Sequence, residues 1–508
     1  MAQGVLPIQY EEEKASSGVT ALGGLLVYLD LIEVSGLCEA IKKYVAVCGK
    51  QGWLDLQMML ALIFLNLAGG DCVDDLERLE HDGGFAVILR EIERFVLTRK
   101  ERQAMKARWR RERTRTRTLP SPSSMSEWLE CFHSAQEEEK RETGKAFIPA
   151  ATEELRALWR VNRDLVGFIQ SHRRETTATL DMDATLVESH KRQAHHCYKG
   201  FKAYQPLNCW WAEQGVMVYS EFRDGNVPAG HEQLRVLKTC LDEVAAVGVT
   251  KVCLRSDSAG YQRDLLLYCG EGEDERFGVI EFAVSADVTA EFRKAVREVK
   301  EADWHPLVRT NADGSSSATD QEWAEVCYVP NWAGHSKKQA DYRFLAIREP
   351  LRQLNLSDAE QLPFPTEAFG AKGRFKLFGV VTNRTASGDQ VIWWQRERCG
   401  KSEEVHAVMK SDLAGGQMPS GLFGANAAWW AIMILAHNLN VAMKRLVLGP
   451  AWVAKRMKAL RFALIGLPGR VVHHARRLIV RLSAAGDTLA LLLSARRTIQ
   501  ALARGPSG

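Results

Sequence analysis

The sequence predicts a mixed α/β protein in which helical regions flank a central part rich in β-strands. Three observations predict this class. Apolar residues recur at helical spacing over residues 20–95. Strand-like runs bounded by turn residues occupy most of residues 175–383, and helical spacing returns after residue 400. With 508 residues, 46% of them hydrophobic and 26% charged, the chain can form several domains and more than one core.

The composition limits the compartment and the cofactors that we expect. The 11 cysteines form no C-x2-C pair, which argues against a zinc ribbon or a disulfide framework and predicts a reducing compartment. His195, His196 and Cys197 point to alternate faces of a strand, which argues against a zinc site. The N-terminus lacks the apolar segment of a signal peptide, and His437 interrupts the apolar run 425–443. We therefore expect a cytoplasmic protein without membrane association.

An arginine-rich stretch, "RKERQAMKARWRRERTRTRTLPSPSS", follows the N-terminal helices. It has two interpretations, a solvated linker or a phosphate-binding segment that adds affinity without sequence specificity. The net charge of +4 does not decide between them. The next segment, "SMSEWLECFH", predicts a helix capped by Ser124 or Ser126.

From about residue 175 the predicted order is strand, strand, strand, helix, strand. These five segments are "TTATLDMDATLV", "HCYKGFKAYQPLNCWWAE", "GVMVYSEFRDG", "GHEQLRVLKTCLDEVAAVG" and "VTKVCLRSD". Further strand-like runs follow over residues 277–383, and the polar segment "TNADGSSSATDQ" between them predicts a mobile loop. The basic, Leu-rich C-terminal tail predicts helices.

Three acidic residues of this central part can converge. Asp181 and Asp183 share one face of the first strand because side chains alternate along a strand. Asp257 ends the fourth strand, and it approaches the first pair if the two strands are neighbours. Converging carboxylates suit Mg²⁺ or Mn²⁺, and paired ions of this kind promote phosphoryl transfer.

A third acid is expected from a helix packed on the sheet. With Ser402 as N-cap, a helix would begin at Glu403, and Glu403, His406 and Lys410 would share one flank while Glu404 lies on the other. The predicted buried face consists of Val405, Val408, Met409 and Leu413. An acid in the first turn also simply favours the helix dipole, so this alternative remains open.

The motifs "DMDAT", "LRSDSAGY" and "RERCGKSEEVHAVMK" together resemble the DDE transposases of bacterial insertion sequences. The nearest branch has a third motif of the form Y-x2-R-x3-E-x6-K. The resemblance extends to "GGDCVDDLERLE", "LPSPSSMSEWL" and "FRDGNVPAG", and so covers most of the chain. It implies an RNase H-like catalytic core interrupted by a β-rich insertion, with a helical N-terminal DNA-binding region and a helical C-terminal region.

The resemblance also implies an organisation into six segments. They are a helical DNA-binding region (1–95), an Arg-rich linker with helices (96–174), the first part of the core (175–270), a β-rich insertion (271–390), the second part of the core (391–445) and a basic helical region (446–508).

Carried over to this sequence, the catalytic and metal-binding residues of the family are Asp183, Asp257 and Glu403. They imply Mg²⁺ or Mn²⁺ as cofactor, with two ions bound, and leave Asp181 without a defined role. Six residues separate Glu403 from Lys410, as the motif requires, whereas four residues instead of three separate Arg398 from Glu403. The tyrosine position falls near Trp394 or Gln395.

The implied activity is DNA strand cleavage at element ends followed by strand transfer into target DNA. Terminal inverted repeats and target DNA would be the partners, bridged by a homodimer. Arg398, Lys410, Lys199 and Lys202 are expected to contact DNA phosphates, with solvated surface cations as the alternative.

Two other functions stay open. A catalytically inactive or domesticated DNA-binding protein would share the fold. A glycosyltransferase would use Asp181 and Asp183 as a D-x-D motif, but it requires a nucleotide-binding domain that the helical, Arg-rich N-terminal part does not resemble.

Overall fold

The computed structural model describes residues 18–96, 98–108, 117–142, 145–310, 314–330, 342–351, 364–475, 477–483 and 486–504. Residues 109–116 of the arginine-rich stretch therefore lie outside the described residues. The N-terminal region and the central part share a single hydrophobic core, which extends from Leu25 to Ile499.

The helices of the described residues are numbered in chain order. They are α1 (Leu26–Val34), α2 (Leu37–Tyr44), α3 (Asp55–Ala68), α4 (Leu76–His81), α5 (Gly83–Val96), α6 (Arg99–Ala107), α7 (Pro122–Glu130), α8 (Ala135–Glu138), α9 (Glu153–His172), α10 (Gln233–Ala246), α11 (Arg263–Glu271), α12 (Ala290–Glu298), α13 (Gly388–Arg396), α14 (Lys401–Ala407), α15 (Phe423–Ala442), α16 (Pro450–Val453), α17 (Met457–Leu460) and α18 (Gly486–Leu502).

The strands are numbered in the same way. They are β1 (Val19–Thr20), β2 (Thr177–Ala184), β3 (Val187–Glu188), β4 (His195–His196), β5 (Lys202–Tyr204), β6 (Leu207–Trp211), β7 (Val216–Glu221), β8 (Lys251–Ser256), β9 (Glu281–Ala286), β10 (His305–Thr310), β11 (Ser316–Val326), β12 (Arg343–Pro350), β13 (Thr366–Ala368), β14 (Arg374–Thr382), β15 (Gly469–His474) and β16 (Arg477–Leu482).

A ten-stranded mixed sheet forms the centre of the molecule, in the order β10-β11-β12-β14-β9-β8-β2-β6-β7, with β13 added to β14. Strand β2 pairs in parallel with β8 and antiparallel with β6, and β8 pairs in parallel with β9. Since parallel neighbours end at the same edge of a sheet, the carboxyl ends of β2 and β8 meet. This edge carries Asp183 and Asp257.

The predicted order of strand, strand, strand, helix, strand is present as β2, β6, β7, α10 and β8. The predicted second strand was too long, however, because its first half forms β4 and β5. These two short strands join β3 in a separate three-stranded sheet. Gly200, with φ of +87°, allows the turn between β4 and β5, and Pro206, which lacks an N–H, separates β5 from β6.

Helix α15 confirms the buried helix expected from the apolar run 425–443. All 20 of its residues are buried, and it packs against α3, α7, α9 and β7. Its asparagines are paired, since Asn438 donates to Asn162 Oδ1 at 2.8 Å and Tyr28 donates to Asn440 Oδ1 at 2.8 Å, whereas neither ring nitrogen of the buried His437 has a hydrogen-bond partner among the described residues. By length and composition the stretch Phe423–Leu448 could cross a membrane, but 72% of its most apolar window is buried inside the protein.

Three predictions about local structure were wrong. The polar segment expected to be a mobile loop belongs from Ser316 onward to β11, because its backbone pairs with β10. Helix α7 begins at Pro122 with Ser121 as N-cap, since proline suits the first helical position. The C-terminal tail is only partly helical, since β15 and β16 form a hairpin that pairs with β1. The β-branched residues of the hairpin favour strands.

Candidate active site

Asp183 and Asp257 lie side by side at the carboxyl ends of two parallel strands. The register pairs Met182 of β2 with Ser256 of β8, so that the following residue of each strand is an aspartate. Asp257 also caps a single 3₁₀ turn, where its Oδ1 accepts a hydrogen bond from Ala259 N at 3.0 Å. Strand pairing therefore brings together two carboxylates that are 74 residues apart in sequence.

Glu403 reaches the site from the bend between α13 and α14. Helix α14 begins at Lys401 with Gly400 as N-cap, so the prediction that Ser402 caps the helix was wrong. Gly400 has φ of +80°, a conformation that glycine adopts without strain, and its N–H donates to Glu403 Oε2. This bend holds Arg398 at the end of α13 and Glu403 in the first turn of α14.

Arg398 faces Asp183, with Nη1 at 3.3 Å from Oδ2. The Arg398 side chain is buried, and its Nε has no hydrogen-bond partner. Burial raises the pKa of Asp183 to about 7; the Arg398 guanidinium opposes this rise, and the carboxylates of Asp257 and Glu403 add to it. Three carboxylates and one guanidinium therefore act on each other in one site.

The residues fit an oxygen-ligated divalent cation by their chemistry. Among the described residues, no three His, Cys, Asp or Glu side chains are gathered closely enough to enclose a metal ion as they stand. The three carboxylates nevertheless offer the oxygen ligands that Mg²⁺ prefers. Among the groups that act on Asp183, Arg398 is the cation that opposes the negative charge of these carboxylates, so the site can accept further positive charge.

Asp181 has a different environment from Asp183. Its carboxylate forms a bidentate pair with Arg255 of β8, at 2.6 Å from Nε to Oδ1 and 2.9 Å from Nη2 to Oδ2. Both side chains are 2% exposed. Arg255 also donates to Trp394 O at 2.7 Å and to Glu397 Oε2 at 3.0 Å. Asp181 therefore belongs to a buried link between the sheet and α13.

Sequence reasoning overlooked Arg255, although a signal was present. Arg255 stands in a mostly apolar strand, two residues before Asp257. A buried arginine requires a charged partner, and Asp181 occupies the matching position of the neighbouring strand.

His406 contacts the sheet next to Asp183. Its Nε2 lies 3.1 Å from Asn208 Nδ2, and Asn208 is the cross-strand neighbour of Asp183. Burial lowers the pKa of His406 to about 4, Lys410 lowers it further, and Glu403 opposes this effect. Asn208 could not be found from the sequence, because only the register of β2 and β6 places it beside Asp183.

The lysines expected to bind DNA lie beyond the end of β2. Lys410 Nζ donates to Thr185 Oγ1 at 3.1 Å and to Leu186 O at 3.2 Å. Burial lowers the pKa of Lys410, and the charge of Lys199, in the turn between β4 and β5, lowers it further. Lys202 Nζ donates to the backbone carbonyl of Arg192 at 2.9 Å. The DNA contacts of these lysines and of Arg398 stay predictions.

Comparison with protein families shows which family the chain belongs to. The family model described as "Transposase DDE domain group 1" matches residues 13–504. The chain belongs to the DDE transposase family. This membership confirms the resemblance seen in the sequence motifs, and it covers nearly the whole chain.

Other comparisons with this DDE transposase are more distant. Among solved structures, it is similar to piggyBac transposase in a cryo-EM synaptic complex with hairpin DNA, at 10% sequence identity and a TM-score of 0.40. The similarity covers 96% of this chain and 82% of that chain. No curated protein matches the sequence.

Family membership argues against the glycosyltransferase interpretation, and the geometry of Asp181 agrees. A D-x-D motif needs both carboxylates for a metal-bound diphosphate. Both oxygens of Asp181 are instead bound to Arg255 in the interior of the sheet. The two aspartates of "DMDAT" therefore differ in their environments.

Proposed function

We propose that this protein cleaves DNA strands at the ends of an insertion sequence and joins the ends to target DNA. The observation that carries the proposal is that the charges of Asp257, Glu403 and Arg398 all act on Asp183 at one edge of the sheet. The order β7-β6-β2-β8-β9, in which β2 is antiparallel to β6 and parallel to β8, supports an RNase H-like core. Strands β10 to β14 would then belong to an insertion.

Asp183, Asp257 and Glu403 are the residues that would hold Mg²⁺ or Mn²⁺, with two ions in the complete site. Such ions, when bound, activate the attacking oxygen and stabilise the leaving oxygen in phosphoryl transfer. The raised pKa of Asp183 supports this assignment, because it reflects a site in which burial and two neighbouring carboxylates disfavour the charged form.

The basic residues around the site would hold the DNA backbone. Arg398 lies at the same edge of the sheet, with Nη1 at 3.3 Å from Asp183 Oδ2, and its guanidinium charge would attract a phosphate group that enters the site. Lys410 and Lys199 add positive charge beyond the end of β2, and Lys202 adds a further charge from β5. Contacts of this kind position a DNA strand without reading its sequence.

A second basic surface supports DNA binding by the N-terminal region. A cleft of about 810 Å³ lies between α5, α6 and the segment after residue 116. Its cationic lining consists of Arg90, Arg99, Arg102, Lys106 and Arg117. Terminal inverted repeats and target DNA are the proposed partners, bridged by a homodimer in the cytoplasm.

The test is strand cleavage and strand transfer with the purified protein, Mg²⁺ and DNA that carries the two flanks of its own gene. We expect cleavage at the element ends and joined products, and neither from Asp257→Asn. Wild-type protein that binds the ends but does not cleave them in Mg²⁺ or Mn²⁺ would contradict the proposal. Such a result would instead favour a catalytically inactive DNA-binding protein of the same fold.

A further inference from the structure

Four hydrogen-bonded side chains connect the hydrophobic core to the active site. Trp430 Nε1 donates to Ser220 Oγ at 2.8 Å, and Ser220 Oγ donates to Asn208 Oδ1 at 2.7 Å. Asn208 Nδ2 then lies 3.1 Å from His406 Nε2. All four side chains are buried, and Asn208 is the cross-strand neighbour of Asp183.

The donors and acceptors in this series of hydrogen bonds follow from Trp430, the first of the four side chains. An indole N–H can only donate, so Ser220 Oγ accepts from Trp430 and gives its own hydrogen to Asn208. Asn208 thereby presents its carbonyl oxygen to Ser220 and its NH₂ group to His406. Since an amide NH₂ can only donate, Nε2 of His406 must be the acceptor, and the ring proton of the neutral imidazole is on Nδ1.

The other ring nitrogen of His406, Nδ1, has no hydrogen-bond partner among the described residues. The imidazole interacts electrostatically with Glu403 one turn earlier, with Lys410 one turn later and with Arg398. The imidazole therefore lies near the residues proposed to bind metal and DNA, with its Nδ1–H not used within the described residues.

We propose that His406 is a further catalytic residue, which donates a hydrogen bond from Nδ1–H to a non-bridging oxygen of the scissile DNA phosphate. This inference rests on the proposed function. The NH₂ of Asn208 occupies the lone pair of Nε2, so the ring cannot take up a second proton without losing that bond. His406 would thus act as a neutral donor of fixed direction, whereas Arg398 and Lys410 supply charge.

Two substitutions of His406 distinguish the contributions of its two ring nitrogens to the rate of cleavage. In His406→Asn the side-chain amide lies near the position of Nδ1, and in His406→Gln it lies near the position of Nε2. The glutamine variant can keep the contact with Asn208 but has no donor at the Nδ1 position. We expect His406→Gln to cleave about 10²-fold more slowly than wild type, the loss typical of one donor to a developing negative charge.

The asparagine variant serves as the matched comparison. We expect His406→Asn to cleave at least about tenfold faster than His406→Gln, because it keeps a donor on the substrate side. Equal rates of the two variants, or a faster glutamine variant, would overturn the assignment of Nδ1. Circular dichroism and the midpoint of thermal unfolding would show that both variants are folded.

The tautomer of His406 can be measured in the DNA-free protein, without an activity assay. In ¹⁵N NMR spectra we expect a protonated Nδ1 and an unprotonated Nε2 for His406, and loss of this preference in Ser220→Ala, where the Asn208 amide is free to rotate. A proton on Nε2 in the wild-type protein would overturn the proposal.

The two proposals can fail separately. If wild type cleaves, Asp183→Asn does not, and His406→Gln cleaves as wild type does, only the role of His406 is wrong. If wild type does not cleave at all, the proposed function fails and the role of His406 fails with it.

Discussion

Asp181 and Arg255 form a buried bidentate ion pair, each two residues before one of the aspartates proposed to be catalytic, Asp183 and Asp257. They are register partners on the parallel strands β2 and β8, and the distances between their paired atoms are 2.6 and 2.9 Å. Arg255 also donates to the backbone carbonyl of Trp394 in α13 at 2.7 Å. The pair therefore fixes the bend that carries Arg398 and Glu403 relative to the strands that carry Asp183 and Asp257.

Removal of one partner should destabilise the protein strongly. We expect Asp181→Ala to lower the free energy of unfolding by about 3–5 kcal/mol, because the buried Arg255 loses its buried, bidentate partner and keeps only the exposed Glu397 carboxylate and a backbone carbonyl. The control is Arg496→Met, which breaks the ion pair between Arg496 and Asp30. The Arg496 side chain is 63% exposed, so this pair should contribute less than about 1 kcal/mol to the free energy of unfolding. Denaturant unfolding measures both variants, and losses of similar size would contradict a structural role for Asp181.

Replacement of both partners should separate stability from activity. A buried ion pair exchanged for apolar residues of similar volume often leaves stability unchanged, so we expect Asp181→Leu combined with Arg255→Met to unfold near the wild-type midpoint. Strand cleavage should still be slow, because α13 loses the hydrogen bond from Arg255 to Trp394 O. Wild-type cleavage rates in a stable double variant would show that the link does not position the bend.

Stability should depend on pH through Asp183. Its pKa is raised to about 7 in the folded protein, so the stability it contributes is present below its unfolded pKa and lost as the pH rises through about 7. In metal-free buffer with EDTA, we expect the free energy of unfolding of wild type, relative to Asp183→Asn, to fall by roughly 3 kcal/mol from pH 5 to pH 8. A constant difference, or a rise with pH, would contradict the environment described for Asp183.

DNA affinity should depend on Lys199 through phosphate contact. We expect Lys199→Gln to weaken DNA binding for all sequences and to reduce the slope of log affinity against log salt concentration by about one. Lys251→Gln is the matched control, because Lys251 starts β8 at the end opposite to Asp257 and pairs with Glu281 at 2.7 Å. An unchanged salt slope in Lys199→Gln would place this lysine outside the DNA interface.

Local patterns in the sequence were enough to predict several individual strands and helices. Alternation predicted β2, a continuous apolar run predicted β8, and helical spacing predicted α10 and the flank of α14 that holds Glu403. These patterns are local because each depends on which residues of a single element are buried. The order of the acidic motifs, together with the family resemblance, then predicted which acids could meet.

Features that depend on pairing between distant segments were not predictable. The partner of Asp181 and the position of Asn208 follow only from the registers of β2 with β8 and β6. The hairpin of β15 and β16 forms a sheet with β1, which precedes it by about 450 residues. The basic, Leu-rich sequence of the tail suggested helices in the absence of that pairing.

The most direct test of the catalytic site compares two adjacent glutamates of α14. The charge of Glu403 acts on Asp183, whereas the charge of Glu404 acts on Lys444 and Arg456. The measurement is the rate of strand cleavage of element-end DNA in Mg²⁺ by Glu403→Gln and Glu404→Gln. The proposed site predicts that Glu403→Gln does not cleave and that Glu404→Gln cleaves at a rate near that of wild type. Cleavage by Glu403→Gln, or its loss only in Glu404→Gln, would contradict a site made of Asp183, Asp257 and Glu403.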